Sequence, residues 1–156
     1  LIGLNSGVPT SPFMATGWMG EKQRKDFEKA MAFLKNQGLA RVVMIHHPPY
    51  QGGATFGRTL TDASRFEKII SETGAELILH GHNHVSSLAY IKGPEGRVPV
   101  IGAPSASAAR GSATHRAGYH IFDFDRTETG IKITGQTRGL LESGEIGAVG
   151  TITFKP

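Results

Sequence analysis

Two apolar segments decide the predicted fold: RVVMIHHPP at residues 41–49 and ELILHGHNH at residues 76–84. Each is a short run of Val, Ile, Leu or Met that ends in histidines beside Pro or Gly. Uninterrupted apolar runs of this length are typical of strands buried on both faces of a parallel sheet. We therefore expect two buried strands, at residues 41–45 and 76–80, each followed by a histidine-rich loop.

The flanking sequence predicts two helices and several further strands. Residues 21–37 carry apolar side chains at helical spacing and are followed by Gly38, while a second helix is expected between Asp62 as its N-cap and Gly74. Further strands are expected at residues 1–5, 87–92, 97–101, 119–124, 130–134 and 150–154. This order predicts an α/β fold in one domain, with a mixed sheet built on crossover helices and then an antiparallel meander.

Composition limits the function classes that remain open. The chain has 156 residues, a net charge of +4 and no cysteine. Disulfides and thiolate metal ligands are thus excluded, and a metal would need histidine and oxygen ligands. No apolar run of about 18 residues occurs, so we expect no membrane span. The sequence opens on an apolar segment rather than on Met, and we expect it to begin partway through a longer protein.

The histidines that follow the two apolar segments predict a metal site. Ligands of open α/β sheets bind at the carboxyl ends of the strands, and adjacent strand ends would bring His46 close to His82 and His84. Neutral imidazole is a common ligand of Zn, Mn and Fe. A lone loop histidine is usually an ordinary solvated side chain, but two clusters after two buried strands favour a metal site.

The same two segments carry a family resemblance. His46-His47-Pro48-Pro49 and Gly81-His82-Asn83-His84 resemble the H-x-P and G-H-x-H motifs of calcineurin-like metallophosphoesterases, in the same order. The loop at residues 16–20, with Glu21 and Gln23 after it, resembles the segment that precedes the H-x-P strand in that family. The resemblance implies that residues 1–156 are the C-terminal part of one metallophosphoesterase domain whose N-terminal part is absent. The fold would then be half of a four-layer α-β-β-α sandwich.

The resemblance also implies roles for individual histidines. His46 and His82 would bind one metal ion, and His84 would bind a second ion of a dinuclear Mn, Fe or Zn site. His47 has no ligand counterpart and is expected to orient the site or to face the substrate. The family's earlier motifs, D-x-H, G-D-x-x-[DN] and G-N-H-[DE], have no counterpart in this sequence, so the carboxylate ligands are missing.

Other polar side chains are weaker candidates, and no residue is assigned as catalytic outright. His47, His115 and Arg116 are candidates for catalysis, and Arg58, Arg110 and His115 for substrate binding. Each of the loop residues among them could equally be an ordinary solvated side chain. His80 and His120 are expected to be structural.

The resemblance favours a hydrolase of phosphate esters, either diesters or monoesters, that acts through a dinuclear metal site. The fragment alone is expected to be inactive. The alternative is a non-catalytic scaffold or binding protein that keeps the fold without the carboxylates. The spacing of His80, His82 and His84 matches histidine-triad proteins and metallo-β-lactamases poorly, because Gly81, Asn83 and the following serines replace residues that those motifs require.

The expected partners are a small phosphate ester and other protein chains. No large basic patch is visible in the sequence, so nucleic acid is not expected as a partner. A half-sandwich would leave an apolar sheet face uncovered, and we expect it to form homo-oligomers or to associate with the missing N-terminal half. The cytoplasm is the default expectation for its location.

Overall fold

The computed structural model describes residues 1–108, 115–128 and 130–154. It contains two helices, α1 (Glu21–Lys35) and α2 (Ala63–Thr73). The strands in chain order are β1 (Ile2–Leu4), β2 (Val42–Ile45), β3 (Leu77–His80), β4 (Ser87–Lys92), β5 (Arg97–Gly102), β6 (Gly118–Thr127), β7 (Gly130–Leu140) and β8 (Ile146–Ile152). Within these ranges no helix is long and apolar enough to cross a membrane.

The strands form two sheets. The first has five strands in the order β1-β2-β3-β5-β4, and the second has three in the order β6-β7-β8. Strands β1, β2, β3 and β5 run parallel, whereas β4 pairs antiparallel with β5. The prediction of parallel strands with crossover helices is thus confirmed, and the chain is a mixed α/β protein with one mixed and one antiparallel sheet.

The predicted meander begins later than the sequence indicated. The β4–β5 hairpin belongs to the first sheet, because β5 returns parallel to β3, with Ile78 opposite Val100. Only β6, β7 and β8 form an antiparallel meander. Strands β6 and β7 also extend well beyond the predicted segments, because backbone pairing continues through polar residues such as Asp125 of β6 and Gln136 of β7. Strand β8 begins four residues before the predicted strand at 150–154 and ends at Ile152.

The core lies between the two helices and one face of the five-stranded sheet. Phe27 and Met31 of α1 and Phe66 and Ile70 of α2 are buried there, and the rings of Phe27 and Phe66 stack with centroids 5.5 Å apart. Both predicted helical periods therefore point at this core, since the apolar side chains recur at a spacing of three or four residues.

Asp62 stands at the N-cap position of α2 but does not cap that helix through its side chain. Its carboxylate instead accepts hydrogen bonds from the backbone N–H groups of Met19 and Gly20, at 3.1 and 3.2 Å, and pairs with the guanidinium of Arg24. Asp62 is thus the N-cap residue as predicted, but its side chain does not cap the helix, because Met19 and Gly20 offer two donors and Arg24 a positive charge. These contacts of the Asp62 carboxylate hold the loop before α1 against the start of α2.

Candidate metal centre

The two histidine-rich loops meet at one edge of the five-stranded sheet. Strands β2 and β3 are parallel neighbours with Ile45 opposite His80, so His46 and Gly81 follow them side by side. The Gly81 N–H donates to the carbonyl of His46 at 3.0 Å, which holds the two loops together. This placement follows from the topology, because the carboxyl ends of adjacent parallel strands share an edge.

The loop after β3 has an unusual backbone. His82 and His84 have φ angles of 64° and 57°, in the left-handed region that is uncommon for residues other than Gly, although Asn, Asp and His enter it more often than most. Between them, the Asn83 side-chain amide donates to the carbonyl of Gly53 at 2.8 Å. Strain of this kind costs free energy and persists where the surrounding structure imposes it, often at functional sites. Two such histidines, separated by one residue, mark this loop as a candidate site.

Three histidines converge at this edge: His46, His47 and His82, whose ligand atoms all lie within 4.8 Å of one another. The closest pair is His46 Nε2 and His82 Nδ1, at 3.1 Å. His46 is exposed, whereas His47 and His82 are buried. The group therefore has one side that solvent reaches.

His47 uses both of its ring nitrogens within the protein. Nδ1 lies 2.8 Å from the hydroxyl of Ser6, and Nε2 lies 3.1 Å from the carbonyl of Ala15. A carbonyl only accepts, so Nε2 carries the proton and Nδ1 accepts from Ser6. The His47 ring is also held by Gly17, where an added Cβ would overlap it. His47 thus connects β1's end and the loop before α1 to the site, and its lone pair is already engaged.

The surroundings keep the buried histidines neutral. The pKa of His82 is lowered from 6.5 to about 4, mainly by burial and then by its neighbours His47, Arg58 and His46. Burial is also the main cause of the lowered pKa of His47. A neutral imidazole keeps a lone pair that can bind a cation, although the burial and the positive charge of Arg58 that keep the ring neutral also oppose a cation there.

Arg58, in the Gly-rich loop between β2 and α2, contacts the same histidine. Its Nε donates to His82 Nε2 at 3.4 Å, and its Nη2 donates to the His82 carbonyl at 3.2 Å. The described residues show no carboxylate within ion-pair distance of this guanidinium. The edge therefore carries a positive charge that no acidic side chain in that part of the chain offsets.

The donor set fits one divalent ion. Two imidazole nitrogens bound to one tetrahedral ion at about 2.0–2.1 Å lie about 3.3 Å apart, close to the 3.1 Å that separates His46 Nε2 from His82 Nδ1. The group that the described residues form contains histidines alone. A bridging carboxylate of the kind that spaces two ions is not among its members.

The other predicted site residues lie in different surroundings. His84 is exposed and lies outside the three-histidine group, so its assignment to a second ion stays a prediction. His115 is exposed and, with Arg58 and Asn83, lines an open cavity of about 430 Å³. Arg116 pairs with Glu142 at 3.3 Å and is not a member of the three-histidine group. Arg110 lies outside the described residues.

The two histidines expected to be structural, His80 and His120, lie on strands of the two sheets. His80 is buried on the sheet and its Nδ1 donates to the carbonyl of Gly81, while its Nε2 has no partner among the described atoms. His120 of β6 lies 3.1 Å from the carbonyl of Gly102 and 3.0 Å from the hydroxyl of Thr137. His120 therefore links the second sheet to the first.

Some contributors could not be recognised from the sequence. Ser6 is almost fully buried and holds His47, yet it lies in a loop whose composition gives no signal. Gly17 carries a weak one, because glycine in the loop at residues 16–20 allows the close approach of the His47 ring.

Comparison with known proteins adds little to this description. No family model matches the chain, and no curated protein matches it. Among solved structures, it is similar to a double mutant of Vps29 from Entamoeba histolytica, with a TM-score of 0.42, 11% identity and coverage of 99% of this chain and 97% of that one. A single mutant of the same protein gives a TM-score of 0.39 and 10% identity, with coverage of 99% and 100%. Similarity at this level assigns neither a family nor a function.

Proposed function

We propose that this chain belongs to a metal-dependent hydrolase of phosphate esters and supplies the histidine side of its metal site. The observation that carries the proposal is the 3.1 Å approach of His46 Nε2 to His82 Nδ1 at the ends of two parallel strands. The H-x-P and G-H-x-H resemblance supports it, because both motifs fall on these loops. The positive charge of Arg58 beside them suits an anionic substrate.

The chain's own residues divide the work at this edge. His46 and His82 would hold one ion, and the exposed His84 would contribute to a second. His47 acts as a positioning residue, because its bonds to Ser6 and Ala15 fix the loops on which the site rests. When bound, divalent ions supply a polarised phosphoryl oxygen and an acidified water.

Neutral imidazoles alone do not complete a dinuclear site. Hydrolysis of phosphate esters by two ions requires oxygen ligands that hold them about 3.5–4 Å apart. We therefore place the bridging carboxylate in a part of the domain outside these residues. In this proposal the complete domain binds two ions of Mn, Fe or Zn, and the 156-residue chain by itself binds metal weakly and turns over little.

The second candidate function is a non-catalytic scaffold that keeps the fold. The observation that favours it is the composition of the metal group, which contains no carboxylate among the described residues. A scaffold would retain the apolar surfaces of the sheets for association with other proteins.

The test is hydrolysis of bis(p-nitrophenyl) phosphate with added Mn²⁺, by this chain and by the full-length parent. We expect turnover in the parent and a loss of at least about a hundredfold in His82→Ala, because even a group that only orients a metal ligand contributes about 10–100-fold. Because His82 has a φ of 64°, alanine also strains the backbone there. His82→Asn removes the imidazole but tolerates this conformation, so it is the decisive variant. His120→Asn serves as the control.

Either outcome decides between the two functions. Activity of the parent that His82→Asn abolishes supports the hydrolase. A parent that neither binds Mn²⁺ nor hydrolyses the ester contradicts the hydrolase and leaves the scaffold.

A further inference from the structure

Arg58 occupies the lone pair that a metal ion would need from His82. An arginine side chain only donates hydrogen bonds, so its contact at 3.4 Å identifies His82 Nε2 as the acceptor and places the proton on Nδ1. That Nδ1–H then donates to His46 Nε2 at 3.1 Å, which occupies the lone pair of His46 as well. With Arg58 in place, neither histidine offers a free donor atom at their contact.

A metal ion can reach His82 by two routes, and both displace Arg58. Ligation through Nε2 replaces the arginine directly. Ligation through Nδ1 moves the proton to Nε2, which then meets the Arg58 N–H donor to donor. His47 cannot supply a free lone pair instead, because Ser6 and Ala15 already bind its two ring nitrogens.

Arg58 lines an open cavity of about 430 Å³, and no carboxylate is among the described residues that line it. That cavity is lined by the Gly-rich loop at residues 52–55, by Asn83 and by His115. A guanidinium binds phosphoryl oxygens in a two-pronged geometry that an ammonium does not reproduce. An oxyanion in this cavity would therefore receive the side chain that the metal releases.

We propose that Arg58 is an exchangeable cap on the histidines, which leaves His82 when metal binds and then grips a phosphate oxyanion. The inference rests on the proposed function, since it assigns the metal to His46 and His82. It has a thermodynamic consequence: the metal and the oxyanion bind with positive coupling, each tightening the other by the same factor.

The test is calorimetric titration of this chain with Mn²⁺, with and without millimolar inorganic phosphate. Arg58→Ala is expected to bind Mn²⁺ about tenfold more tightly than the wild type, the size of a hydrogen bond to a charged group. Phosphate is expected to tighten Mn²⁺ binding in the wild type and to leave it unchanged in Arg58→Ala. Arg65→Ala, on the exposed side of α2, is the matched control and should behave as the wild type.

Arg58→Lys separates the hydrogen bonds from the charge. Lysine keeps the positive charge but cannot contact His82 Nε2 and the His82 carbonyl together, so we expect intermediate Mn²⁺ affinity. Equal affinity in the lysine variant and the wild type would show that charge alone acts and would overturn the proposal. Equal affinity in Arg58→Ala and the wild type would overturn it as well.

A metal-free readout keeps this inference distinct from the proposed function. Nitrogen chemical shifts of the histidine rings report the tautomer, and the wild type in chelator should show His82 protonated at Nδ1. In Arg58→Ala, that preference should be lost. If the tautomer responds as expected but no variant of this chain binds Mn²⁺, the displacement step is overturned, while the proposed function is still decided by the full-length parent. If Mn²⁺ binds to all variants alike, only the role of Arg58 fails.

Discussion

The two faces of the five-stranded sheet have similar sequences but different surroundings. One row across the sheet faces the helices, and its central members Val43, Ile78 and Val100 are fully buried. The adjacent row faces the other way, and there Met44 is 44% exposed and Leu88 is 39% exposed. Register places these rows one residue apart along the same strands.

The two faces differ in how completely other parts of the chain cover them. Strands that are apolar on both faces belong to sheets covered on both sides. The helices cover one face, whereas the second sheet covers the other only in part and leaves an open cavity of about 880 Å³. Met44 and Leu79 of the first sheet and Tyr119 and Phe122 of β6 line that cavity. This face of the sheet is therefore only partly covered within the described residues.

The largest expected effect is a truncation on the helical face. Phe66 is fully buried and stacks on Phe27, so Phe66→Ala leaves a cavity and should lower the free energy of unfolding by about 3–5 kcal/mol. Met44→Ala on the opposite face should cost about 1 kcal/mol or less, since nearly half of that side chain is already in solvent. Urea denaturation followed by circular dichroism measures both.

The pair of variants tests the comparison directly. Equal losses in the two variants would mean that the open face is covered in solution, for example by a second chain. The measurement is therefore repeated at several protein concentrations, because a covering partner makes stability depend on concentration.

The sequence predicted the helical face and the position of His46 and His82 well, for a physical reason. Helical periods and apolar strands are local sequence patterns. The carboxyl ends of adjacent parallel strands meet at one edge of the sheet, independently of the conformation of the connecting loops. The bonds of His47 to Ser6 and of Arg58 to His82 join segments 41 and 24 residues apart through loops, and loop geometry leaves no periodic signal. Asp62 is the N-cap residue of α2 as predicted, but the partners of its carboxylate, Met19 and Gly20, lie in a distant loop and could not be predicted for the same reason.

The next effect in size is the loss of folding stability in acid that His82 causes. His82 has a pKa of about 4 in the folded chain, against 6.5 for a free histidine. Below pH 6.5 His82 is protonated in the unfolded chain, whereas in the folded chain it stays neutral down to about pH 4. The contribution of neutral His82 to the free energy of unfolding is thus fully present above pH 6.5 and is lost as the pH drops toward 4.

In metal chelator, His82→Asn should remove this part of the acid sensitivity. The wild type is expected to lose on the order of 2 kcal/mol more than the variant between pH 7 and pH 4, after allowance for solvent screening. The measurement is the free energy of unfolding at each pH. Parallel pH profiles for the two proteins would show that His82 is not held neutral by its surroundings.

The smallest effect on stability is expected at the open face, and there the informative quantity is association. Met44→Lys places a charge on the exposed row while the long side chain can still reach solvent, so the free energy of unfolding should change by about 1 kcal/mol or less. The same charge should weaken any contact made by this apolar face, because an unpaired charge is costly to bury. Light scattering across a concentration series should show the wild type as a dimer or larger and the variant shifted toward monomer. If the wild-type chain stays monomeric at every concentration, the partial cover from the second sheet is enough to keep this face from associating. The two faces would then differ in exposure but not in affinity for a partner.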